Sequence, residues 1–169
     1  MGLTPHRLRV IRGGSLLAME LLAQNSGERE DIRPRIVIVE NEPKHGGLLL
    51  RQLQKANLTK YVKFITDGKT ALDYLNEEAS RGGKLIALFV DLNLSRSGGL
   101  HVLEEIRSRK DMQDLPVIVM TSSTIPEDLA KCQELGVSCY LHKPITFESF
   151  IKAVADCFHG PRGNLENLC

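Results

Sequence analysis

The stretch Leu85-Ile86-Ala87-Leu88-Phe89-Val90-Asp91, followed by Leu92-Asn93-Leu94-Ser95-Arg96-Ser97-Gly98-Gly99, decides how this chain reads. An unbroken apolar run of this length suits a strand covered on both faces. A carboxylate at the mouth of such a strand is costly unless something uses its charge. Three other runs end in polar chemistry. Ile36-Val37-Ile38-Val39 leads into Glu40-Asn41-Glu42, Val117-Ile118-Val119-Met120 into Thr121-Ser122-Ser123, and Cys139-Tyr140-Leu141 into His142-Lys143-Pro144. In an open parallel sheet flanked by helices, ligands bind outside the carboxyl ends of the strands. Acid, acid, hydroxyl and lysine at four such ends describe one site.

Working outward, short apolar runs alternate with stretches of helical period from Arg35 onward, the pattern of repeated βα units. The reading places strands near 35–40, 61–65, 85–90, 116–120 and 138–141, and helices near 43–56, 68–79, 99–109, 126–135 and 146–158. Pro43 suits a first helical turn, Asp67 and Thr146 suit N-caps, and Gly136 suits a helix end. Ser149 stands three residues after Thr146, where a capping box usually has an acid. Pro116 falls at a strand's first residue, where a ladder tolerates it. The fold class is α/β: a doubly wound, five-stranded parallel sheet of flavodoxin-like (βα)5 type.

Composition narrows the function class. The chain has 169 residues, 42% hydrophobic and 25% charged, with a formal net charge of +1. That charge gives no long-range attraction to nucleic acid. No apolar stretch approaches the roughly 20 residues that span a bilayer. Cys132, Cys139, Cys157 and Cys169 form no CxxC pair and no metal-ligand spacing, so the reading takes them as reduced thiols in a cytoplasmic protein. His45, His101 and His142 share no ligand spacing either and read as surface or satisfied residues. Residues 1–34 read as an N-terminal extension in which 15–24 fits a short helix. A flexible segment, a start upstream of Met19, and a docking helix are its alternatives. Residues 159–169 read as a frayed tail.

The motifs together resemble the receiver domain of bacterial response regulators over residues 35–158. The resemblance rests on Asp91-Leu92-Asn93-Leu94 with Gly99, on Thr121-Ser122-Ser123, and on Tyr140-Leu141-His142-Lys143-Pro144. The wording is most similar to stand-alone receivers associated with phytochrome-type kinases. Asp67 to Leu75, Phe147-Glu148-Ser149-Phe150 and an insert-like stretch from Glu77 to Lys84 carry that likeness.

The resemblance implies a single-domain response regulator of a two-component phosphorelay. Asp91 would accept a phosphoryl group, Lys143 would contact it, and Thr121 and Tyr140 would be the switch hydroxyl and switch aromatic. Mg²⁺ would be held, weakly, by Glu40, Asn41, Asp91 and Asn93. The partners implied are a sensor histidine kinase or a phosphotransfer protein and an unknown downstream protein; no nucleic acid or membrane is expected, and a homodimer stays open. No enzymatic activity is expected beyond phosphoryl acceptance and slow autodephosphorylation.

The chain departs from the pattern at Asn41, where receivers usually carry a second acid. One negative charge is lost beside the cation, on the order of a few kcal/mol at an intermediate dielectric. Ser95 and Gly98 replace a usual proline and acid in the loop after Asp91. A receiver-like interaction module that works without phosphorylation is therefore the alternative. A phosphatase using Asp91 as nucleophile is disfavoured, because Asn93 stands where such enzymes place a general acid.

Overall fold

The computed structural model describes residues 33–94, 98–122 and 125–158. The expectations for nearly all of the N-terminal extension, for the tail, and for Ser95, Ser123 and Cys169 lie outside the described residues. The strands are β1 (Ile36–Val39), β2 (Val62–Ile65), β3 (Ala87–Asp91), β4 (Val117–Thr121) and β5 (Cys139–His142). The helices are α1 (Pro43–Lys55), α2 (Gly68–Ser80), α3 (Gly98–Ser108), α4 (Pro126–Glu134) and α5 (Phe147–Phe158). A short 3₁₀ turn, Thr59–Tyr61, precedes β2 and was not expected from the sequence. Every other element falls within two residues of its expected bounds.

The strands form one parallel sheet in the order β2-β1-β3-β4-β5. The pleat then divides the core into two layers. From the central strand β3, Ala87 and Phe89 pack with Ile36, Ile38, Leu53, Met120 and Val154 on the face covered by α1 and α5. Leu88 and Val90 face the opposite way, onto Leu75, Val102, Ile106 and Cys132 from α2, α3 and α4. All five residues of β3 are buried, which explains the unbroken apolar run. The rings of Phe89 and Phe150 meet at 4.9 Å between centroids.

Helix ends are set by local chemistry. The Asp67 side chain accepts from the Thr70 N–H, and Thr146 and Ser149 exchange reciprocal bonds, Ser149 N–H to Thr146 Oγ1 at 3.1 Å and Thr146 N–H to Ser149 Oγ at 3.2 Å. A serine hydroxyl therefore fills the box position an acid would hold. Gly136, with φ of +65°, ends α4: Gly136 N–H donates to Gln133 and Val137 N–H to Cys132, two carbonyls the helix leaves unpaired. Asn57 does the same after α1 with φ of +58°. The stretch from Glu77 to Ser80 is the last turn of α2 rather than an insert, since its period continues the buried stripe to Glu78. One cysteine assignment is corrected. Cys132 and Cys157 are free, as expected, but Cys139 is disulfide-bonded.

Candidate functional site

The strand order reverses direction between β1 and β3, and there the polar strand ends collect. Val39 is level with Val90, Asp91 with Met120, and Thr121 with His142. Glu40, Asp91, Thr121 and Lys143 consequently line one edge of the sheet, and all are buried.

Lys143 joins them. Its Nζ lies 2.6 Å from Asp91 Oδ2 and 2.6 Å from Glu40 Oε2, with all three side chains nearly inaccessible to water. Two carboxylates around one ammonium leave a net negative charge buried in the site. Such a charge is costly unless a further cation or donor shares it. Asp91 Oδ1 has its own partner, the Asn93 N–H at 2.9 Å, and Glu40 Oε1 accepts from the Glu42 N–H at 2.8 Å. Both are tight turns in which a carboxylate fixes the backbone two residues on. The β5–α5 connection is tied to β4 by Lys143 N–H donating to the Thr121 carbonyl at 2.9 Å.

Gly99 lets α3 approach this edge. A Cβ there would lie 2.3 Å from the Asp91 carbonyl oxygen and 2.7 Å from Leu92 Cα. Its N–H donates to the Leu92 carbonyl, so the first turn of α3 is sewn directly onto the loop after Asp91. The paired glycines of the sequence have this steric reason, with Gly98 in the left-handed region at φ of +64°.

Asn41 is half-buried, and its Oδ1 is buried without a hydrogen-bond partner among the described residues. An orphaned amide oxygen beside a buried net negative charge is what a cation would satisfy. The donors on hand are oxygens, from Glu40, Asn41, Asp91 and Asn93, and oxygen donors suit Mg²⁺. The residues present fit such an ion, with one charge fewer than two adjacent acids would provide. Among the described residues no group of three or more His, Cys, Asp or Glu side chains is arranged to hold a metal. The amide and backbone oxygens therefore matter.

Tyr140 lies further out. Its hydroxyl donates to the Leu129 carbonyl of α4 at 3.1 Å. Burial, with a smaller contribution from Cys132, pushes its pKa up to about 12. His142 and His101 are exposed, whereas His45 is drawn to the site mouth, with Nδ1 3.3 Å from Lys143 Nζ and 3.2 Å from Glu42 Oε2. The sequence reading took His45 as a surface or satisfied residue and gave it no part in the site. Its signal was its place in the first turn of a helix entered directly from Glu40-Asn41-Glu42.

A comparison with protein families matches the response regulator receiver domain over residues 36–155. The chain belongs to this family. Among solved structures, the bacteriophytochrome response regulator AtBRR is similar at 37% identity and a TM-score of 0.62, covering 75% of this chain and 92% of that one. Response regulator Rcp1 of Synechocystis is 28% identical over 124 residues, 72% of this chain and 84% of its own length. Its Mn²⁺-bound structure superposes with a TM-score of 0.59, covering 72% of this chain and 88% of that one. The phosphorylated cyanobacterial phytochrome response regulator RcpA is 26% identical with a TM-score of 0.61, covering 73% of this chain and 90% of that one. This receiver is thus a two-component response regulator similar to those of phytochromes. Among the described residues no helix is long and apolar enough to cross a membrane.

Proposed function

We propose that this receiver takes a phosphoryl group on Asp91 from a cytoplasmic histidine kinase of phytochrome type, or from a phosphotransfer protein, and signals through its surface. The observation that carries this reading is the Asp91–Lys143–Glu40 cluster at the switch point of the sheet, with Asp91 only 1% exposed. Asp91 attacks the phosphorus of the donor phosphohistidine, an O–P bond forms as the P–N bond breaks, and the donor imidazole leaves with the electron pair. Such transfer depends on positioning and charge neutralisation more than on covalent help. Lys143, already 2.6 Å from Asp91 Oδ2, is placed to meet an incoming phosphoryl oxygen. When bound, a divalent cation held by Glu40, Asn41, Asp91 and Asn93 supplies the remaining positive charge.

Thr121, buried at the end of β4, follows the phosphoryl oxygen with its hydroxyl, and Tyr140 then gives up its bond to Leu129 and turns inward. The face formed by α4 and α5 is the bistable readout, offered to a downstream protein. Beyond accepting and slowly losing its own phosphoryl group, the receiver performs no catalysis. A second reading is favoured by Asn41 alone: with one metal-facing charge removed, the receiver acts as an interaction module that is never phosphorylated.

Intact-mass measurement after incubation with acetyl phosphate and Mg²⁺ separates the two. A single phosphoryl adduct on wild type, absent from Asp91→Asn, is the expected result. An adduct on Asn41→Asp but none on wild type would establish the interaction module instead.

A further inference from the structure

His45 stands at the mouth of the site, and the phosphoacceptor chemistry above leaves it without a task. An ammonium has three N–H groups and no acceptor. At Lys143 two of them are taken by Asp91 Oδ2 and Glu40 Oε2, each at 2.6 Å, and His45 Nδ1 lies 3.3 Å away to take the third. The ammonium is therefore saturated before any phosphoryl group arrives. Its bond to His45 is the longest of the three and the only one to a group that need not be charged.

That bond requires a lone pair on Nδ1, which puts the ring proton on Nε2. The same Nδ1 lies 3.2 Å from Glu42 Oε2 and 3.9 Å from Glu40 Oε2. A carboxylate contact requires the opposite, a proton on Nδ1. One nitrogen cannot serve an ammonium and a carboxylate at once, so His45 has two mutually exclusive partners. With the side chain 34% exposed, the ring proton can move between the nitrogens through solvent without any change in net charge.

Building on the phosphoacceptor reading, we propose that His45 is a positioning residue which holds the third N–H of Lys143 in the resting protein. It turns to Glu42 when Lys143 engages a phosphoryl oxygen on Asp91. Glu42 sits at the N-cap of α1, with its own backbone N–H fixed by Glu40, so the exchange reports the state of the site to the start of that helix. An incoming phosphoryl oxygen competes with the imidazole for one N–H. Removing the imidazole removes the competitor.

The test has two readouts. The first follows imidazole ¹⁵N shifts of the full chain, with the His45 signal assigned by its loss in His45→Asn. Wild type is expected to carry the His45 proton on Nε2, and Lys143→Met to carry it on Nδ1. A proton on Nδ1 in wild type, or no change in Lys143→Met, would overturn the proposal. The second follows adduct formation by intact mass against acetyl phosphate concentration in Mg²⁺. His45→Ala is expected to reach half-maximal rate at about fivefold lower acetyl phosphate, the worth of one ordinary hydrogen bond. The plateau rate should hold, because an equal gain in ground and transition state leaves it unchanged. His45→Asn, which keeps an acceptor at the same branch point, is expected to behave as wild type; equal behaviour of His45→Ala and wild type would sink the idea. If no protein gains an adduct, the phosphoacceptor reading fails, and the ¹⁵N spectra still decide the contact between His45 and Lys143.

Discussion

Tyr140 shows how much one residue's surroundings can do. An exposed tyrosine titrates near 10, whereas burial raises this one to about 12. The folded state then keeps its proton where the unfolded state has already lost it. Between those values the unfolded chain binds fewer protons, so stability falls as pH rises through that window. Cys132, raised to about 11, and Cys157, raised to about 12, add losses of the same sign that begin nearer pH 9. Tyr140→Phe removes both the hydroxyl and its bond to Leu129. Urea unfolding is expected to show it about 1 kcal/mol less stable at pH 7. Its disadvantage should shrink or reverse from pH 10 to 12; a constant difference across that range would contradict the assignment.

At the scale of elements, two residues hold helices in place where hydrophobic pattern alone would leave them adjustable. Among the described residues Arg107, in the last turn of α3, forms no salt bridge, and Asp114 acts on it only at longer range. Its guanidinium donates to the carbonyls of Leu135 at 2.7 Å, Gly136 at 3.0 Å, Gln113 at 2.9 Å and Leu115 at 3.0 Å. It thus staples the C-terminus of α4 and the loop before β4 to α3, and desolvation lowers its pKa as a consequence. Lysine lacks the planar fork needed to reach four carbonyls. Arg107→Ala is expected to cost about 2–3 kcal/mol in urea unfolding, since several partly buried acceptors lose a charged donor, and Arg107→Lys should recover less than half. Gly99 acts by absence. Gly99→Ala puts a methyl against the Asp91 and Leu92 backbone, so α3 must move outward and take the acceptor loop with it. Overpacking of this kind costs about 1–3 kcal/mol. Phosphoryl acceptance from acetyl phosphate should fall well beyond what the lost stability explains, as judged by intact mass at a temperature where the variant remains folded.

For the whole molecule, the buried net negative charge predicts that stability responds to a divalent cation. Any ion bound only by the folded state stabilises it by mass action. Asn41→Asp adds a carboxylate beside Glu40 and Asp91, which already share one ammonium. Without divalent cation this variant is expected to melt below wild type. In millimolar Mg²⁺ its melting temperature should rise more than that of wild type, and calorimetric scans with and without the ion check the crossing. A parallel response of both proteins would remove Asn41 from the cation's surroundings. The two-layer core explains why the fold can carry such a site: β3 is buried along its whole length, so Asp91 is held by packing on both faces before any ion arrives.

The sequence by itself determined the architecture and the composition of the site edge. Uninterrupted apolar runs define buried parallel strands, helical period and caps such as Asp67, Thr146 and Gly136 define what lies between, and right-handed crossovers leave few ways to connect them. Those regularities are local, so they are legible residue by residue. Tertiary structure alone decided which polar groups touch. That Glu40 bonds Lys143, that Arg107 satisfies carbonyls up to 29 positions away, and that His45 stands between an ammonium and a carboxylate are facts of approach between distant segments. A hydrogen bond is lost within a few tenths of an ångström of its ideal length and exposed charges are screened over about 10 Å, and no spacing along a chain encodes distances of that size across a folded sheet.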